Sequence, residues 1–217
     1  MPAAAAIKQV VDVPVMVVGR IHDPQFAESI LREGQTDLIV MGRPMLADPE
    51  LPRKAAEGRL WDIRRCISCH HCYDSTVDSG SIACAVNAAT GNEGRYRLDR
   101  AAISKKVMVI GGGPAGMEAA RVAALRGHKV TVYDKQRRLG GSLTFACTVH
   151  SENDDFLKYL TTQAKRLPVD VRLGQEVTPP SLSRRSVQTW SLWRWGRIWR
   201  FAAFLGTTGA MFSPDLR

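Results

Sequence analysis

Cys66, Cys69, Cys72 and Cys84 lie within 19 residues, spaced C-x-x-C-x-x-C and then eleven residues to the fourth. Thiolates at this spacing bind metal. A tight loop presents three ligands and a fourth returns from farther along, which meets the tetrahedral demand of a four-iron four-sulfur cubane. Zinc competes for such residues, and His70 and His71 stand inside the loop. Structural zinc sites usually draw their ligands in pairs from two knuckles, however. Only one knuckle is present, so the spacing favours the cluster. His70 and His71 read as exposed loop residues without a role, and Cys147, alone in LTFACTV, reads as a buried packing residue.

A second constellation follows. Gly111, Gly113 and Gly116 satisfy G-x-G-x-x-G between the apolar KVMVI at Lys106 and a helical pattern over Met117 to Arg126. The first glycine permits the tight turn, the second a close approach to a pyrophosphate, and the third close packing of helix on strand, with the helix N-terminus facing the phosphates. Asp134 ends the next apolar run, 23 residues after Gly111. It is placed to accept hydrogen bonds from an adenosine ribose. Gly140 and Gly141 in RRLGGSL resemble a glycine pair found close to FAD in two-dinucleotide flavoproteins. FAD is therefore favoured over NAD, with ADP as a third option.

The elements that must position these residues are legible from periodicity. Val13 to Val18 reads as a strand ending in Gly19-Arg20, Pro24 to Glu33 as a helix, and Asp37 to Met41 as a strand ending in Gly42-Arg43. Asp48 to Arg65 reads as a helix leading into the cysteines, and 66–103 as loop held by something other than a core. After the Gly-rich turn and its helix come a strand at Lys129 to Tyr133, a helix over 152–166 and a strand over 169–174. Beyond Pro180 the pattern fails.

Composition bounds the function. The chain has 217 residues, 45% of them apolar, and a formal charge of +9. Residues 181–217 hold six Arg against one acidic residue, so the basic excess is concentrated there. No signal peptide and no long apolar run is present, and four closely spaced thiols suit a reducing compartment. The expectation is a cytoplasmic globular protein that binds neither nucleic acid nor membrane.

The two motifs in this order, with GRPMLADPELPRKAAEGR before them, resemble the NADH:flavin oxidoreductase family that contains 2,4-dienoyl-CoA reductase and trimethylamine dehydrogenase. The resemblance covers residues 10 to about 180. It implies an α/β architecture: residues 1–65 as the last two βα units of an FMN-binding (β/α)8 barrel, 66–103 as a 4Fe-4S loop and linker, and 104–180 as part of a Rossmann-like, doubly wound FAD unit. Gly19, Gly42 and Arg43 would lie where such barrels hold the FMN phosphate, with Arg20 a weaker candidate. Six barrel strands carrying the catalytic residues would precede this segment, so no catalytic residue is assigned and the FMN site is incomplete.

In the family, hydride transfers at a flavin and single electrons pass through the cluster. Enoyl reduction or N-methylamine dehydrogenation is the implied chemistry, with a small-molecule substrate and NAD(P)H as partners. Two alternatives stand beside it: an electron-transfer subunit completed by a separate barrel chain, and a gene remnant. The Trp- and Arg-rich 181–217 departs from the family and reads either as an interfacial amphipathic helix or as a frameshift. Reading Val187 to Ile198 in a shifted frame yields PDVVVVAVGAD, much like the strand the family has there. The frameshift is favoured, placed near 181–187.

Overall fold

The computed structural model describes residues 2–178 and, as backbone, two further strands at 189–195 and 198–202. The chain divides into two units, Met1–Arg97 with Glu152–Tyr159, and Leu98–Ser151 with Leu160–Arg217.

In the first unit, helix α1 (Pro2–Lys8) precedes strand β1 (Met16–Val18), helix α2 (Pro24–Arg32) and strand β2 (Leu38–Val40). The expected strand-helix-strand order holds, and β1 pairs with β2 in parallel, Met16 opposite Leu38 and Val18 opposite Val40. Asp23 starts α2 by accepting the Gln25 amide at 3.0 Å, with Pro24 in the first helical position. Such a cap satisfies an otherwise orphaned helix amide. Val17, Ile21, Ala27 and Ile30 form the core here, joined by Ala4, Ile39 and Met41.

The single helix expected over Asp48 to Arg65 is instead two short pieces, α4 (Leu51–Ala56) and a 3-10 turn at Leu60–Asp62, preceded by α3 (Arg43–Ala47). Asp48 separates α3 from α4, its carboxylate accepting the Glu50 amide at 3.1 Å and Lys54 Nζ at 2.8 Å. Gly58, with φ +70, ends α4. Within the expected loop lies a further helix, α5 (His71–Ser79), which has no buried residue and therefore no apolar stripe for periodicity to detect.

The second unit is a parallel α/β layer. Strand β3 (Lys106–Ile110), helix α6 (Pro114–Leu125) and strand β4 (Lys129–Asp134) are followed by α7 (Leu143–Val149), α8 (Glu152–Arg166, whose first eight residues belong to the first unit) and strand β5 (Val169–Leu173). Strands β6 (Thr189–Trp195) and β7 (Ile198–Ala202) complete a sheet of order β5-β4-β3-β6-β7. In register, Val107 faces Val130 and Val109 faces Val132. Val109, Val130 and Val132 pack with Ala120 and Ala124 of α6. Burying each of these valines contributes about 1.5–3 kcal/mol.

Two expectations change in this unit. Cys147 lies on α7 and is half-buried rather than buried. The tryptophan-rich stretch, expected to suit no strand and open to reading as an interfacial helix, supplies β6, parallel to β3, and β7, antiparallel to β6. Aromatic residues favour strands, and β3 offers that stretch a row of backbone donors and acceptors. Residues 181–187, where the frameshift was placed, lie outside the described residues. Among the described residues no helix is long and apolar enough to cross a membrane.

Candidate functional site

The Gly-rich turn joins β3 to α6 as the motif requires. Gly111 has φ +106, a conformation that L side chains rarely adopt, and its amide bonds the Tyr133 carbonyl at 2.7 Å. Gly113 is the N-cap of α6 and Pro114 its first residue. Gly116 sits so close beneath the turn that a Cβ there would meet the Gly111 carbonyl oxygen at 1.9 Å. The twelve-residue α6 thus presents its N-terminus, with unpaired amides and a partial positive charge, beside a backbone free of side chains.

The structure brings the second glycine pair to the same turn. The Gly140 amide donates to the Gly112 carbonyl at 2.8 Å, and a Cβ on Gly141, whose φ is +52, would stand 3.2 Å from Gly113 Cα. Asp134 is 9% exposed, and each of its carboxylate oxygens accepts one backbone amide, Gly112 at 2.6 Å and Gln136 at 2.7 Å. Sequence reasoning assigned this carboxylate to a ribose and missed its part in ordering the turn. The two uses are compatible, because a carboxylate offers about four acceptor positions.

In the first unit, the cysteine loop leaves the 3-10 turn and enters α5. Ser68 has φ +54 and His70 φ +60, left-handed values uncommon for residues with a Cβ. Each is held by a side chain that follows a strand of the parallel pair. His22 Nε2 lies 2.9 Å from Ser68 Oγ, after β1, and Arg43 Nη1 lies 3.2 Å from His70 Nε2, after β2. Sequence analysis gave His70 no role and left His22 unmentioned; a lone histidine after a strand carries no signal of its own.

The Ser68 amide donates to Cys66 Sγ at 3.4 Å. Burial pushes the Cys66 thiol up, and the neighbouring Cys84 and Cys69 push the same way, while the Ser68 amide and Arg43 pull it down. Cys66 therefore lies within the fields of Cys84 and Cys69, and burial outweighs the help that the Ser68 amide and Arg43 give its thiolate. Among the described residues no group of three or more His, Cys, Asp or Glu side chains is placed to hold a metal ion, and none of the five thiols is in a disulfide. Four thiols are the donor chemistry of an iron-sulfur cluster, and the Ser68 amide is aimed at one of them.

Of the remaining candidates, Gly19 follows β1 with φ +137 and Gly42 is the N-cap of α3. Arg20 is ion-paired with Glu152. His22 is held below the ordinary 6.5, first by burial and then by Arg43 and Arg20, with Glu152 opposing. The folded state thus prefers neutral imidazole, and its contribution to stability is present above the unfolded value and lost as pH falls through the folded one. A histidine NMR titration is expected to give His22 an apparent pKa below that of the H22-containing unfolded chain; an equal or higher value would contradict the burial.

Residues 2–61 match the NADH:flavin oxidoreductase / NADH oxidase family, and residues 106–168 match the FAD dependent oxidoreductases. The chain is 45% identical over 176 residues to an NADH oxidase of Thermoanaerobacter brockii, covering 79% of this chain and 27% of that protein. It is 42% identical over 177 residues to a cinnamate reductase of Clostridium sporogenes, covering 80% and 27%. The structure of histamine dehydrogenase from Rhizobium sp. 4-9 aligns with a TM-score of 0.78 at 32% identity, over 82% of this chain and 27% of that one.

Both matched family models describe flavin-linked oxidoreductases, and residues 2–61 resemble the NADH:flavin oxidoreductase family that the motifs implied. The chain spans about a quarter of the length of the relatives it matches.

Proposed function

We propose that this chain is the cluster- and dinucleotide-binding portion of an iron-sulfur flavoprotein oxidoreductase. Cys66, Cys69, Cys72 and Cys84 hold a 4Fe-4S cluster, and Gly111, Gly113, Gly116, Gly141 and Asp134 receive the ADP moiety of FAD. The observation that carries the reading is the Gly-rich turn: Gly116 beneath it, Gly141 against it and the N-terminus of α6 facing it. In this reading residues 1–65 are the last two βα units of an FMN barrel, with Gly19, Gly42 and Arg43 on the phosphate side, and 104–180 are a Rossmann unit.

Bound flavin would supply hydride transfer and a bound cluster would relay single electrons. The protein's own part is to admit the pyrophosphate to bare backbone, to orient the ribose through Asp134, and to hold thiolates under the field of Arg43. The whole protein's chemistry is reduction of an activated alkene or dehydrogenation of an amine, with NAD(P)H as partner, in the cytoplasm. Named relatives of both kinds support this.

A second reading is an electron-transfer subunit completed by a separate barrel chain. It is favoured by the outward residues of the parallel pair, since Met16, Val18, Leu38 and Val40 are all exposed. Anaerobic purification followed by iron, sulfide, zinc and flavin analysis tests the main reading. The expected result is about four irons and four sulfides per chain with FAD bound; zinc in their place, or no metal and no flavin, would overturn it.

A further inference from the structure

The two arms of the cysteine loop are joined below the thiols by buried polar side chains that the proposed cofactor chemistry does not use. Arg64 stands two residues before Cys66 and is 6% exposed; Asn87 stands three residues after Cys84 and is 8% exposed. Arg64 Nη1 donates to Asn87 Oδ1 at 2.8 Å. The same guanidinium reaches Tyr159 Oη at 3.2 Å through Nη2, and its carbon lies 5.1 Å from the centre of the Tyr159 ring.

Both partners are themselves anchored. The Arg64 amide donates to Asp48 Oδ2 at 2.8 Å, and Lys54 Nζ donates to the same oxygen at 2.8 Å. Asn87 Nδ2 donates to the Leu46 carbonyl at 2.9 Å, an oxygen that also accepts from Thr90 Oγ1 at 2.8 Å. The loop between Cys66 and Cys84 has no buried apolar residue of its own, and the buried residues at its base are the apolar Ile63 and Val86 beside the polar Arg64 and Asn87. Of these, the polar pair is the directional link between the arms, because a charge-assisted hydrogen bond out of water is stronger and more directional than one at the surface.

We propose that the buried Arg64–Asn87 pair is a clamp that holds the two cysteine arms together, setting the separation of Cys66 from Cys84 before any metal arrives. Arg64 and Asn87 are positioning residues: they do not touch the cofactor, and they act through the backbone that carries the thiols. The guanidinium is needed rather than an ammonium, because its planar fork meets Asn87 and Tyr159 at once. Preorganised thiols bind a cluster more tightly and release it more slowly, because the loop's entropy has already been lost on folding.

The clamp is independent of the cluster reading, but its consequence for iron rests on that reading. The test has two arms on the full chain. In the first, metal-free protein carrying C69S and C72S is oxidised with diamide, and the Cys66–Cys84 disulfide is followed by mass spectrometry. Arg64→Met and Asn87→Leu are expected to slow its formation at least tenfold. Thr90→Val, which removes a bond to the same Leu46 carbonyl without joining the arms, should change it less than twofold. Asn87→Asp, which keeps the acceptor for Arg64 but gives up the donor to the Leu46 carbonyl, should slow it less than Asn87→Leu does.

In the second arm, the rate at which a chelator strips iron from the reconstituted four-cysteine protein is expected to rise tenfold or more in Arg64→Met and by less in Asn87→Asp. Disulfide rates in Arg64→Met and Asn87→Leu equal to that of wild type would overturn the clamp. If the disulfide rates behave as expected while the wild-type chain takes up no iron, the clamp stands and the cluster assignment falls.

Discussion

Gly116→Ala is expected to cost the second unit about 3 kcal/mol of stability and to abolish adenine-dinucleotide binding. The added Cβ would lie 1.9 Å from the Gly111 carbonyl oxygen, 3.0 Å from its carbon and 3.3 Å from Val109 Cγ1. Two of those atoms are backbone, so no side chain can rotate away. Either α6 lifts from β3, parting Ala120 and Ala124 from Val109 and Val132, or the turn is deformed where the phosphates must approach. Overpacking of this kind typically costs about 1–3 kcal/mol, and more where the obstacle is rigid. Urea unfolding followed by circular dichroism and FAD or ADP titration by calorimetry measure the two effects. Gly111→Ala is the informative companion, because its Cβ would meet nothing within 4 Å and only the φ of +106 is strained. A Gly116→Ala chain that binds as tightly as wild type would show that the turn is not the dinucleotide site.

Cys69→Ser should have the opposite profile. Cys69 is exposed, so losing its sulfur removes no packing, and stability should change by less than about 0.5 kcal/mol. A cubane deprived of one of four thiolates has an open iron, so iron per chain after anaerobic reconstitution should fall from about four to well below one. Dinucleotide affinity should remain within about twofold, since Gly111, Gly113, Gly116 and Asp134 belong to the other unit. Unchanged iron with the visible absorption of a cluster would remove Cys69 from the ligand set. Equal loss of iron and of dinucleotide binding would mean that the variant unfolds as a whole.

Sequence alone specified the elements that carry strong periodicity and their own start and stop signals. The 152–166 helix begins on three acids and ends on Lys165 and Arg166, and it appears over Glu152–Arg166. KVMVI is β3 to the residue, because a short β-branched apolar run stopped by a glycine turn suits a strand. The glycine fingerprint was equally legible, since close spacing along the chain keeps its residues in one turn.

Tertiary structure decided what no local pattern encodes. Helix α5 lacks an apolar face, and the expected 48–65 helix is interrupted at Gly58, while the Asp48 side chain at its start answers to Lys54 and to the Arg64 amide. Trp190 to Trp195 became a strand because β3 presented an edge to it. Gly141 reached Gly113 across 28 residues, and Arg64 met Asn87 across 23. Motif residues separated by a few positions are brought together by covalent geometry, whereas Arg64 and Asn87 meet only when burial removes water as their competing partner.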